Sequence, residues 1–365
     1  MADWSLPRAM DGFEYRGVDA VFLENDHLRV LVLPGKGGDV LEFRDKRADV
    51  DSLWHADHNW QPPIDAAVPP VDPTAWHDHY PGGWQVNLPV AGFTDSFGDA
   101  PYGLHGESSL LPFEYDAREE GDAAVLDLAV ELVRYPLRIE RTLRLPAGES
   151  TLHVEETVEN TAPRPVPYVW QHHLALAEPL VEPGARLDVP AASWVVDDYG
   201  PGHRNNRLAG GESFEWPHAP AAADGGETAP QAGDTVDLRE FPPTDSTIHD
   251  VAYARDLEAG WYAVTNPARD VGFAFSFPTD PFESLWYWQP FGGHHDSPYY
   301  NRNYNAGLEP TTAFPAGNIP EAQEANGTMK EIGAGETLTA AFAATTYHGL
   351  EAVEDVTPSG TVSGR

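Results

Sequence analysis

The chain has 365 residues, 41% of them hydrophobic, and carries 58 acidic against 22 basic side chains, a formal charge of −36 spread along its whole length. It can therefore bury a large core, but it lacks the basic patches that phosphate backbones require, which argues against a nucleic-acid partner. With no cysteine, it has no disulfide, thiolate nucleophile or cysteine metal site.

Lysine occurs only at Lys36, Lys46 and Lys330, so nearly all the basic residues are arginine. Uniform acidity with so little lysine predicts a protein of a salt-loaded, halophilic cytoplasm. In molar salt the Debye length falls to roughly 3 Å and self-repulsion is screened. The first residues, Met-Ala-Asp-Trp-Ser-Leu-Pro-Arg, contain no apolar signal region, and no run of about 18 apolar residues follows. The expectation is a soluble cytoplasmic protein with no membrane partner.

Taken in chain order, the clear patterns have period two. Residues 28–34, 124–133 and 137–145 read as strands. The last alternates apolar and charged side chains, as a strand with one wet face does. Residues 150–159 repeat that alternation after Pro-Ala-Gly-Glu, predicting a hairpin. Further strands are expected at 271–277 and 338–347. No segment holds a capped amphipathic helical period, and 34 prolines with 33 glycines interrupt the chain too often for a helical bundle. The reading is all-β, a large antiparallel β-sandwich forming one domain over residues 1–350. Residues 210–235 should be a surface excursion and 351–365 a frayed tail.

Three segments carry candidate chemistry. Gly103-Leu-His-Gly-Glu107 sets His105 between glycines, where backbone can approach a ligand closely. Trp170-Gln-His-His173 places two adjacent histidines in an apolar setting; on a strand they point to opposite faces, so only one can line a given cavity. Tyr304-Asn-Ala-Gly-Leu-Glu-Pro310 carries Glu309, downstream of Trp286-Tyr-Trp288 and Tyr299-Tyr300 in what reads as a long aromatic loop. Such aromatic surface suits sugars, whose C–H faces lie on rings while hydroxyls find polar edges. Trp288 and Tyr304 are the aromatic candidates.

The order and flanks of these segments, with Asn25-Asp-His through Lys36-Gly-Gly38, resemble the aldose 1-epimerase (galactose mutarotase-like) family over about residues 20–347. The resemblance implies a galactose mutarotase-like supersandwich, a small sugar as partner, a monomer or homodimer, and no cofactor or metal. It implies Glu309 as catalytic base, His173 (with Leu176 three residues on) as acid, His172 as the fallback, and His105 at the anomeric oxygen. The family's arginine before the first histidine is missing from residues 77–92; Trp84, Gln85 or Asn87 would replace it.

The implied reaction is ring opening: the base takes the anomeric proton, the acid protonates the ring oxygen, and reclosure gives the other anomer. Ordinary values, about 4–5 for the base and 6–7 for the acid, would leave both correctly charged at neutral pH. Two other readings remain. One is a non-catalytic sugar-binding or sugar-sensing sandwich. The other is a cupin-like metal enzyme using His77-x-His79, His55-x-x-His58 or His294-His295-Asp296.

Overall fold

The computed structural model describes residues 6–63, 75–92, 96–97, 100–199, 203–222, 233–316 and 324–365. Two large sheets form an antiparallel sandwich. The larger has twelve strands, in the order 8–15, 18–24, 28–33, 39–45, 84–87, 171–176, 306–311, 284–291, 248–257, 191–196 and 213–215, with 50–51 added beside 39–45. The second has eight, in the order 186–188, 261–266, 271–276, 337–347, 151–160, 137–146, 123–131 and 114–120.

All six expected strands form, and the expected hairpin pairs Leu137 with Asn160 through Arg144 with His153. The cause is the alternation itself: Leu137, Ile139, Leu143 and Leu145 are buried while the residues between them reach water. Arg141 falls in the buried phase of that strand. Its Nε donates to Glu156 Oε1 at 2.7 Å, and both side chains are fully enclosed between the sheets. Phe43 against Phe273 and Trp84 against Phe275 pack edge-on across the same interior.

Three local expectations change. Residues 353–356 and 362–364 form a paired hairpin rather than a frayed tail. Val353 and Val356 cover Trp261, Ala263 and Tyr347, and Val353 N–H donates to Asp188 Oδ2 at 2.9 Å. Trp286 and Trp288 lie on the strand Ser284–Phe291, and Glu309 lies within Ala306–Thr311, so of the expected long aromatic loop only the connection carrying Tyr299 and Tyr300 is one. In the excursion after residue 210, Ser213–Glu215 extends the large sheet, Trp216 stacks on Trp194 at 4.7 Å, and 218–220 pairs with 235–237. Among the described residues no helix is long and apolar enough to cross a membrane.

Candidate active site

Register decides which side chains meet. In the centre of the large sheet Gln171 pairs with Asn87 and His173 with Gln85, while Ala175 pairs with Gly307, Trp286 with Glu309 and Trp288 with Gly307. Directly paired residues share a face and alternate residues return to it. One face therefore carries Gln85, Asn87, Gln171, His173, Gly307, Glu309 and Trp288. The other, turned to the second sheet, carries Trp84, His172, Leu174 and Leu308.

His173 Nε2 lies 3.4 Å from Glu309 Oε1, with only 4% and 3% of the two side chains exposed. The other carboxyl oxygen accepts from Gln171 Nε2 at 3.0 Å, and Gln171 Oε1 accepts from Asn87 Nδ2 at 2.8 Å. This chain of amides fixes the carboxyl plane. The floor beside it is deliberately low: a Cβ on Gly307 would stand 2.7 Å from Glu309 Oε1 and 3.0 Å from Trp288 Cε3.

The roof comes from two segments between the strands. The short 3₁₀ helix Ala75–His79 brings in Trp76, followed by Tyr80; their rings stack at 4.4 Å. Tyr80 meets His173 edge-on at 5.3 Å, its hydroxyl 3.4 Å from Nδ1. His105 has a left-handed backbone (φ 64°) that continues into Gly106 (φ 74°), where a Cβ would meet Leu88 O at 2.6 Å. That turn sets the His105 ring 5.1 Å from His173 and 4.5 Å from Trp76. Nδ1 of His105 accepts from the Gly92 N–H at 3.1 Å, so the neutral ring carries its proton on Nε2.

Burial sets the protonation. It pushes the Glu309 carboxyl well above the usual carboxylate range. It pulls His173 down to about 3, helped by the Lys36 ammonium, and holds His105 far below the usual range, with His173 and His77 adding to the effect. Burial thus opposes the charged form of both groups, the reverse of the direction that a charged base and acid would need.

The structure thus brings together Glu309, His173, His105 and Trp288, with Asn87 acting through Gln171. Gln85 shares the face but donates to Asp39 Oδ2 at 2.7 Å, and Asp39 is in turn bound by Lys36 Nζ at 2.5 Å. His172 and Trp84 are not on this face. Trp84 Nε1 donates to His172 Nδ1 at 3.0 Å, and His172 Nε2 lies 3.3 Å from Glu156 Oε2 inside the sandwich. Tyr304 also points away, packing on Phe291 and donating to Pro242 O at 2.6 Å. Both corrections follow from the two-residue period.

The histidines of the metal alternative are engaged separately: His55 with Asp51, His58 with the His77 carbonyl and His79 with the Gln61 carbonyl. His294 stacks on His249 at 5.0 Å. Among the described residues no three His, Asp or Glu side chains converge as metal ligands. A solvent-open groove of about 810 Å³, lined by His27, Arg47, His153 and His348, contains none of the residues above.

Sequence reasoning missed Trp76, Tyr80, Gln171 and Gly307. Gln171 and Gly307 were within reach, since each lies two residues before a candidate and shares its face. Trp76 and Tyr80 arrive by tertiary folding, without a local signal.

Solved structures with this fold include a candidate aldose 1-epimerase from Klebsiella pneumoniae, 18% identical, covering 92% of this chain and 82% of that one with a TM-score of 0.68. A galactose mutarotase-like protein from Clostridium acetobutylicum is 14% identical, with coverage of 93% and 98% and a TM-score of 0.64. A candidate aldose 1-epimerase from Escherichia coli K12 is 17% identical, with coverage of 91% and 100% and a TM-score of 0.59. At these identities the likeness is one of fold. No curated protein matches. A family model described as a domain of unknown function, DUF4432, matches residues 15–345, and the chain belongs to that family.

Proposed function

We propose that this protein is an aldose 1-epimerase, interconverting the α and β anomers of a sugar by acid–base ring opening. The observation that carries the reading is the buried pair Glu309 Oε1–His173 Nε2, 3.4 Å apart between neighbouring central strands. The aromatic walls of Trp76, Tyr80 and Trp288 surround it.

The pair needs exactly one proton between its members. Ligand hydroxyls entering the pocket replace lost hydration and favour the charged arrangement, carboxylate beside imidazolium. Glu309 then takes the anomeric proton while His173 delivers its own to the ring oxygen, and the C1–O5 bond opens. Rotation about C1–C2 presents the other aldehyde face, and the two groups return their protons on reclosure. His105, with its Nε2–H free to donate, steadies the oxygen that gains charge. Each general acid or base is typically worth 10²–10⁴-fold. The same reading carries the expectations of a small sugar as partner, a monomer or homodimer, and a brine-loaded cytoplasm as the setting.

The test is NMR or polarimetric anomer exchange with fresh glucose, galactose and other aldoses in molar KCl, wild type beside Glu309→Gln. Acceleration that drops by about 10²-fold or more in the variant supports the proposal. A folded wild-type protein that accelerates none of them, or a variant as active as wild type, would sink it. Burial that opposes charge on both groups also favours a second reading, a sugar-binding protein without turnover. That reading predicts saturable binding with no acceleration.

A further inference from the structure

Asn303 and Asn305 are both fully buried, and neither amide oxygen nor amide nitrogen of either has a hydrogen-bond partner. Four orphaned polar atoms within three residues are unusual, because an enclosed amide without partners is destabilising. Their position is informative. The chain enters the Ala306–Thr311 strand here, with the Gly292 N–H donating to Asn303 O at 3.0 Å and Tyr304 turned to the sandwich interior beside Phe291. Alternation then sets Asn303 and Asn305 on the face of Gly307 and Glu309.

The spacing suits a sugar ring. Glu309 folds back over Gly307, its Oε1 being 2.7 Å from where a Cβ there would stand. Asn305 immediately precedes the strand, and at extended-chain spacing it stands about 6.8 Å from Gly307. A pyranose whose anomeric hydroxyl meets the Glu309 carboxyl reaches across an interval of that order to the hydroxyl on the far side of its ring. Tyr299, buried against Trp54 and His294, has a hydroxyl that is also without a partner. Trp54 packs on Tyr299 at 5.9 Å and on Tyr80 at 5.7 Å, so Tyr299 stands beside the aromatic roof over His173.

We infer that Asn305, supported by Asn303 and the Tyr299 hydroxyl, binds the substrate hydroxyl farthest from the anomeric carbon and so selects which sugar is accepted. The chemistry offered is neutral. Lys36 is tied to Asp39 at 2.5 Å and Arg207 to Asp250 at 2.7 Å, so neither is offered to a phosphate at that end. An amide donates and accepts at once, which matches a hydroxyl and not an anion.

The inference rests on the sugar-isomerase reading, but binding tests it separately. Dissociation constants for glucose, galactose and their 4-deoxy and 6-deoxy analogues are measured by NMR titration, with anomer-exchange rates, for wild type, Asn305→Ala, Asn305→Leu and Glu309→Gln. Wild type should prefer at least one parent sugar to its deoxy analogue by about 10-fold or more. Both Asn305 variants should lose that preference, with KM raised, kcat little changed and the thermal midpoint of Asn305→Leu equal to or above wild type. Lost preference in proteins that never accelerate exchange would retain this inference while the isomerase reading fell. Asn305 variants with wild-type preference, or a wild type that binds none of these sugars, would overturn it. A fall in thermal midpoint without a change in preference would show the amides to be structural, and would overturn it too.

Discussion

His172 Nε2 and Glu156 Oε2 lie 3.3 Å apart across the interior of the sandwich, one from each sheet. Arg141 completes the group, donating to the other Glu156 oxygen and, at 2.7 Å, to Gly38 O. Burial pulls His172 down, against the pull of Glu156, while His172 and Arg141 hold Glu156 at about 2 despite its burial. Removing Glu156 leaves a guanidinium enclosed without its partner. Glu156→Ala should therefore lose about 3–5 kcal/mol of unfolding free energy, and Arg141→Met with Glu156→Leu should recover most of it. Denaturant titration measures both. In the same proteins His172→Gln should leave anomer exchange near wild type while His173→Gln loses most of it; the reverse result would exchange the roles assigned to the two rings.

Gly307→Ala tests the low floor. The new methyl would push on Glu309 Oε1 and on Trp288 together. The position is in a regular strand, so the backbone accepts alanine and the fold should persist by circular dichroism. A carboxyl displaced by about 1 Å should lower the exchange rate by roughly 10²-fold. A fully active Gly307→Ala protein would show that exchange does not depend on the Glu309 carboxyl resting over residue 307.

Burial of the Glu309–His173 pair has a signature in pH. Exchange needs one shared proton: a second proton removes the base, and loss of the last removes the acid. His173 resists the second proton down to about 3, and burial makes Glu309 hold its own above the ordinary range. After subtraction of the uncatalysed rate, kcat/KM, which reports the ligand-free protein, should stay on its plateau at about pH 5, where an exposed histidine would already have titrated. An acid limb near 6.5 would mean that His173 is solvated in the ligand-free protein.

Acidic repulsion should make stability depend on salt. Arg118 alone is shared by Asp116, Glu120 and Asp127, and acidic side chains outnumber basic ones 58 to 22 along the chain. Moving from about 0.1 M to 2 M KCl shortens the Debye length from about 10 Å to about 3 Å or less. The thermal midpoint should rise by roughly 1–1.5 °C for each kcal/mol of repulsion relieved. A midpoint that stays flat or falls with salt would remove the halophile reading.

Much of this was legible in the sequence, because period-two alternation is a direct print of a sheet with two different faces. It gave the strands around Leu137 and Thr151 with their hairpin. The pairing of Glu309 with His173 followed only through the family resemblance, since their approach depends on strand order. Trp84 and Tyr304 lie on the opposite parity from Glu309, and the same parity that separates the two adjacent histidines turns His172, the fallback, into the sandwich. The C-terminal hairpin was hidden because its few apolar residues, Val353 and Val356, gain meaning only against Trp261 and Tyr347. Arg141 was a missed clue, since a charge in the apolar phase of a strand demands a buried partner.

The adjacency of His172 and His173 also governs which genetic lesions the protein can survive. One ring belongs to the mortar between the sheets and the other to the working surface, and a single peptide unit separates them. Inserting or deleting one residue between positions 169 and 174 would exchange these duties along the whole segment, delivering Leu174 to the pocket and a proton carrier to the interior. Substitutions there can be graded in effect; a change of length cannot. Variation in length should therefore be confined to connections such as 147–149, where the strands around Leu137 and Thr151 turn back on each other at the surface.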